Sequence, residues 1–202
     1  RLLKTDRGYW FETSDAWTTD IWRGEALSIT AAAALADGHP QRAATEAEES
    51  VSLLGNPLLP SVDVPWLDPW RARIDQCRRR GLRTASQARA ALGAHDEAVA
   101  HAEAAVDDDP VDEASHRVLI EVRRAAGDTA GALRAYGDCR RVLRDELGVT
   151  PQPETEALYL ELLARDHESE PTVESLPGQS ERSPLDWPFV GRRDQLAAIV
   201  SA

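Results

Sequence analysis

A short pattern recurs three times in this chain: "DGHPQRAATEA" from Asp37, "LGAHDEAVAHA" from Leu92 and "AGDTAGALRAY" from Ala126. In each copy a glycine is followed five residues later by alanine, and four residues after that by a second small or aromatic residue. The triplets are Gly38, Ala43, Ala47; Gly93, Ala98, Ala102; and Gly127, Ala132, Tyr136. The second and third copies lie 34 residues apart. A helix-turn-helix repeat of that length needs these residue types, because glycine lets the chain turn tightly and alanine lets two helices approach closely. Pro110 falls where such a repeat ends. The first two copies are 55 residues apart, so about one loop's worth of chain, "GNPLLPSVDVPW" and its neighbours, is inserted between them.

The pattern resembles the tetratricopeptide repeat over 86–149, with a looser match in the first copy. The expected fold class is all-α, a tetratricopeptide-like stack of about seven helices with a small N-terminal β-hairpin remnant. Helices are predicted in pairs, 18–36 with 40–54, 68–92 with 96–107 and 112–126 with 129–147, and a helix over 153–165 closes the stack. In the last full pair Ala132, Tyr136, Cys139, Leu143 and Leu147 recur every three or four residues and form the expected buried stripe. Arg134 with Asp138, and Arg141 with Asp145, are the expected outer i, i+4 pairs. Gly148 suits a left-handed cap, and Pro151 and Pro153 stop continuation. Ahead of the stack, 1–13 reads as strand, turn, strand, with "TDRG" between Leu2, Leu3 and Tyr9, Trp10, Phe11. A lone hairpin is unstable, so it is expected to complete a larger sheet. Behind the stack, 167–186 carries three prolines, four serines and no aromatic residue, the composition of a linker. The expected domains are therefore 1–16, 17–166, a linker over 167–186, and the start of another domain over 187–202.

Charge narrows the function classes. The net charge is −12, from 35 acidic and 23 basic residues, so the chain as a whole is repelled by phosphate backbones and any nucleic-acid contact is local. Lys4 is the single lysine beside 22 arginines, and no glycine precedes it, which excludes a phosphate-cradling Gly-x-x-x-x-Gly-Lys loop from these residues. Cys77 and Cys139 lie 62 residues apart with no histidine pair nearby and read as small buried side chains. The five histidines form no ligand spacing, no nucleophile elbow occurs, and carboxylates fall on helix faces, so neither a metal site nor an enzyme is expected. No apolar run reaches membrane-spanning length and no secretory signal is recognisable, which makes the cytoplasm the expected location. There is no methionine, so the chain reads as a piece of a longer protein. The run "WRARIDQCRRRGLR", 70–83, holds six arginines and one acid. It admits two readings, a surface for an acidic partner or DNA phosphate built on Trp70, Arg78, Arg79, Arg80 and Arg83, or the solvated face of a long helix. Trp66 and Trp70 are expected to bury against the first helix pair.

The segment "ALRAYGDCRRVLRDELGVTPQPETEALY" goes beyond what repeat packing requires. With the flanking residues over about 17–165, it closely resembles the bacterial transcriptional activation domain of SARP-type regulators. In that family such a domain follows an OmpR-type winged helix-turn-helix. "LLKTDRGYWFE" is similar to its wing hairpin, which implies Lys4, Thr5 and Arg7 as contacts to the DNA backbone. "PFVGRRDQL", 188–196, is similar to the lead-in of STAND-type ATPase domains, although Arg193, Asp194 and Gln195 stand where those usually carry an acidic pair. The resemblance implies a regulatory domain that orients or dimerises DNA-binding heads and couples them to a downstream ATPase. It implies promoter DNA bound through an upstream domain, RNA polymerase as a partner, a homodimer, no membrane, no cofactor in these residues and ATP in a downstream domain. A protein-binding repeat scaffold unrelated to DNA is the alternative reading.

Overall fold

The computed structural model describes residues 2–6, 8–11 and 19–169. Strands β1 (Leu2–Thr5) and β2 (Gly8–Phe11) pair antiparallel, with Leu2 opposite Phe11 and Lys4 opposite Tyr9. The helices are α1 (Asp20–Ala36), α2 (Pro40–Leu54), α3 (Asp68–Ala91), α4 (His95–Asp108), α5 (Glu113–Ala125), α6 (Thr129–Val142) and α7 (Pro153–Ser169). A 3₁₀ turn, Pro65–Leu67, leads into α3, and a π turn, Leu143–Leu147, prolongs α6. The fold is an all-α, tetratricopeptide-like stack.

The recurring triplet has a common geometry. Gly38, Gly93 and Gly127 have φ of +78°, +77° and +80°, a left-handed conformation that glycine adopts without a Cβ clash. Each closes the helix before it with the same two bonds. The glycine N–H donates to a carbonyl three residues back, and the next N–H to one five back, as in Gly127 to Arg124 (3.0 Å) and Asp128 to Arg123 (2.9 Å). The alanine five residues on then makes a first bond of the following helix: Ala43 to His39, Ala98 to Ala94 and Ala132 to Asp128, at 2.9–3.0 Å. Those three alanines are fully buried, as are Ala47 and Ala102, with Tyr136 nearly so. One triplet therefore ends a helix, starts the next and supplies the flat contact between them.

Close approach extends beyond the triplets. A Cβ at Gly24 of α1 would lie 2.6 Å from Leu54 Cγ, and one at Gly81 of α3 would lie 2.9 Å from Val51 Cγ2. Buried serines hydrogen-bond between helices in the same layers, Ser50 Oγ to the Gly24 carbonyl at 2.6 Å and Ser86 Oγ to the Ala98 carbonyl at 2.7 Å. The first pair packs through alanines, in the clusters Ala31, Ala47, Ala85 and Ala34, Ala43, Ala44, Ala88. The later helices share a bulkier core that includes Val118, Ile120, Tyr136 and Leu162. There Tyr136 of α6 stacks on Tyr159 of α7, with ring centroids 4.3 Å apart and 5° between planes. Each helix runs opposite to the one before it, so α1, α3 and α5 run in the same direction. Of these three, α3 lies against both α1 and α5.

Several expectations need correction. The helix expected over 129–147 is α-helical only to Val142. The π turn that follows turns Leu147 out of the predicted stripe, and it is 55% exposed. Gly148 does take the left-handed cap, with φ +68°. The outer pairs are Arg141 with Asp138 (3.1 Å) and Arg144 with Asp145 (3.2 Å), one helical turn and one residue apart, instead of i, i+4. Trp66 and Trp70 do not bury against the first helix pair, being 63% and 40% exposed; the buried residue of the 3₁₀ turn is Leu67.

Candidate functional site

Helical periodicity distributes the arginines of α3 around its circumference, and each side of the helix uses them differently. Arg71 points toward the inserted loop and donates to the carbonyls of Leu58, Leu59 and Val62, at 3.2, 2.9 and 2.6 Å. It thereby holds Leu59 at φ +46°, beside a cavity of about 490 Å³ floored by Leu54 and Ile74. Arg78 and Arg79 face the end of α4. Arg78 pairs with Asp108 and Asp75, and Arg79 with Asp108 (3.6 Å) and Asp109 (3.5 Å). Burial pushes the Asp108 carboxyl above its ordinary value even between these two guanidinium groups. Arg83 reaches the start of α5, where it pairs with Asp112 and lies 3.4 Å from Ser115 Oγ. Arg89 binds Glu48 of α2 through two nitrogens, at 2.7 and 2.8 Å, and holds that carboxyl below its ordinary value.

The remaining side of α3, turned away from α2 and α4, carries Trp70, Arg73, Arg80 and Gln87. Arg73, Arg80 and Gln87 recur every seven residues and so form one row. Arg73 bonds Glu25 of α1 at 3.0 and 2.6 Å and sits 5.8 Å from the Trp70 ring centroid. Trp22, one turn before Glu25, is 51% exposed. Toward α5, a shallow groove of about 250 Å³ lies between Arg80, Arg83 and Gln87 on one wall and Arg117 and Glu121 on the other. Burial raises the Glu121 carboxyl above its ordinary value, in spite of Arg124 and Arg117. Arg117 Nη1 donates to Gln152 Oε1 at 3.2 Å. Arg80 has no hydrogen-bond or ion-pair partner among the described residues.

Of the partner surface expected from sequence, then, Arg78, Arg79 and Arg83 hold helices together, while Trp70 is exposed and Arg80, partly buried, lines the groove toward α5. The sequence reading missed Trp22, Arg117 and Glu121. Its own period could have found the last two, since Arg117 and Glu121 stand 34 residues after Arg83 and Gln87. Of the expected DNA contacts, Lys4 is exposed on β1 and Thr5 pairs with Gly8, whereas Arg7 lies outside the described residues, as do 12–18 and 170–202. Both cysteines are buried. Among the described residues no cluster of histidine, cysteine and carboxylate side chains could hold a metal ion, and no helix is long and apolar enough to cross a membrane.

Residues 19–163 match the family model of the bacterial transcriptional activator domain. Over 197 residues the chain is 30% identical to the regulatory protein AfsR of Streptomyces griseus, covering 95% of this chain and 20% of that protein. It is 28% identical over 165 residues to the regulatory protein AfsR of Streptomyces coelicolor, covering 82% and 17%. The chain thus spans about a fifth of the length of these curated relatives. Among solved structures, Mycobacterium tuberculosis EmbR in complex with a low affinity phosphopeptide matches with a TM-score of 0.72 at 24% identity, over 81% of this chain and 43% of that one. The Sgt2 TPR domain of Aspergillus fumigatus matches with a TM-score of 0.55 at 18% identity, over 83% and 91%. At these identities both structures speak to the fold, a helical repeat stack.

Proposed function

The chain belongs to the bacterial transcriptional activator domain family of SARP-type regulators, and from that premise we propose that it orients or dimerises DNA-binding heads and couples them to a downstream ATPase. The family is a transcriptional regulator domain and not an enzyme class. The observation that carries the reading is the match over 19–163, directly behind a β-hairpin that presents an exposed lysine, Lys4. A chain with net charge −12 is a poor ligand for DNA, so promoter binding falls to a separate winged-helix head, of which Lys4, Thr5 and Arg7 form the wing. RNA polymerase is the partner such an activator addresses, ATP binds in a downstream domain headed by 187–202, and the whole acts in the cytoplasm.

Fluorescence anisotropy against promoter DNA at fixed salt tests the division of labour, comparing this chain with one extended upstream by a winged-helix length. Specific binding is expected from the extended chain alone. Deleting 17–166 from the extended protein is then expected to abolish activation. Activation that survives the deletion refutes the coupling role, and an extended chain that does not bind DNA favours a protein-binding scaffold.

A further inference from the structure

The side of the stack formed by α1, α3 and α5 carries side chains that the fold itself does not use. Trp22 and Trp70 are 51% and 40% exposed, although tryptophan is among the residues that gain most from burial. The Glu25–Arg73 bridge joins the α1 and α3 parts of this surface, and Arg73 lies beside the Trp70 ring. Further along the same row comes Arg80, without a partner among the described residues, and across the groove Arg117, held by the neutral amide of Gln152. Glu121 is the one acid lining that groove, where it faces Arg117. Exposed tryptophan next to arginine is the composition of an interface centre.

We propose that this face binds an extended acidic segment of a partner protein, whose carboxylates meet Arg80 and Arg117 and whose apolar side chains pack on Trp22 and Trp70. Charge complementarity selects the partner. Guanidinium forks match carboxylates in two-point contacts. At physiological salt charges are screened beyond roughly 8 Å, so a short acidic segment meets these arginines and little of the surrounding negative surface. A nucleic acid has stacking bases for the tryptophans, but its phosphate chain runs on over a protein of net charge −12, which opposes it.

The test is a titration of the 202-residue chain into a fluorescein-labelled twelve-residue peptide of alternating glutamate and leucine, at about 0.15 M salt. The controls are the matching lysine–leucine peptide and a single-stranded oligonucleotide of equal charge as competitor. Binding of the glutamate peptide is expected to weaken at least tenfold in the double variant Arg80→Glu, Arg117→Glu and about fivefold in Trp70→Ala. It is expected to be unchanged in Arg144→Glu, whose side chain pairs with Asp145 outside this face. Circular dichroism must show each variant folded, and Arg80→Gln alone, which disturbs no recorded contact, is expected to weaken binding severalfold if the double variant fails to fold. The proposal is overturned if the glutamate peptide does not bind, if the lysine peptide binds as well, if Arg144→Glu weakens binding equally, or if the oligonucleotide displaces the peptide at equal concentration.

Discussion

Glycine shows most directly how one atom changes sign with its surroundings. Replacing helical glycine by alanine stabilises an isolated helix by roughly 1 kcal/mol, because the unfolded chain loses freedom. At Gly137 of α6 nothing lies within 4 Å of an added Cβ, and Gly137→Ala is expected to stabilise the domain by about that amount. At Gly24 the same atom would lie 2.6 Å from Leu54 Cγ, the branch point of a buried side chain that would have to shift to admit it. Overpacking of this kind costs roughly 1–3 kcal/mol, which exceeds the helical gain, so Gly24→Ala is expected to destabilise. Urea midpoints of the two variants should therefore move in opposite directions from wild type. Equal upward shifts would mean that α1 and α2 separate easily and that close approach does not hold the first pair. The same logic divides the arginines. Arg78 and Arg80 are two residues apart, yet Arg78 sits between Asp75 and Asp108 while Arg80, without a partner among the described residues, lines the groove toward α5.

At the scale of elements, each helix start is a local contract between neighbouring residues, and α6 shows its terms. Asp128 caps α6 by accepting from the Gly131 N–H at 2.8 Å, and it also pairs with Arg123 of α5 at 3.1 Å. Both contacts favour the carboxylate, and the cap bond, the larger effect, holds Asp128 below its ordinary value of 3.8. A depressed carboxyl stabilises the fold at pH above the unfolded value and stops doing so as pH falls through the folded one. Asparagine caps helices about as well but does not titrate. Wild type is therefore expected to be more stable than Asp128→Asn at pH 7, with the gap in urea midpoint closing only below about pH 3.8. A gap independent of pH would place the difference in geometry and not in charge. Such local terms are what a sequence displays, which is why the glycine and alanine positions of all three turns and the order of the helices could be read from it. The π turn after Val142 could not, because its extra residue per turn leaves the i, i+3, i+4 pattern of Leu143 and Leu147 unchanged until the backbone is seen. Nor could the roles of Arg78 and Arg83, whose carboxylates lie 30 and 29 residues away and are named by packing alone. For the same reason the outward face of Trp22, Trp70, Arg80 and Arg117 gathers residues from separate repeats that no contiguous motif joins.

Across the whole molecule, a stack in which each pair touches mainly its neighbours need not open all at once. The two ends of this one are built from different material. The first pair packs against α3 largely through alanine methyl groups, with Leu54, Ile74 and Cys77 forming a small separate cluster. The last helices bury Val118, Leu119, Ile120, Tyr136 and Leu162 together. At roughly 25 cal/mol per Å² of apolar surface removed from water, leucine and tyrosine side chains contribute several times what an alanine methyl does, so the N-terminal end is the less stable. The chain carries a reporter in each part, Cys77 near the first pair and Cys139 in α6, both buried. Burial pushes the Cys139 thiol up to about 12, and thiolate chemistry there requires opening. With N-ethylmaleimide at pH 8 neither cysteine is expected to react in the native protein. As urea is raised below the main transition, and after normalising to the rates of the fully unfolded chain, Cys77 should be modified first and with the weaker urea dependence, because its release exposes only part of the core. Cys139 should follow with the steeper dependence of global unfolding. If the two rates and their urea dependences coincide, the stack opens as one unit, α3 coupling its ends through Arg78, Arg79, Arg83 and Arg89 as firmly as a shared core would.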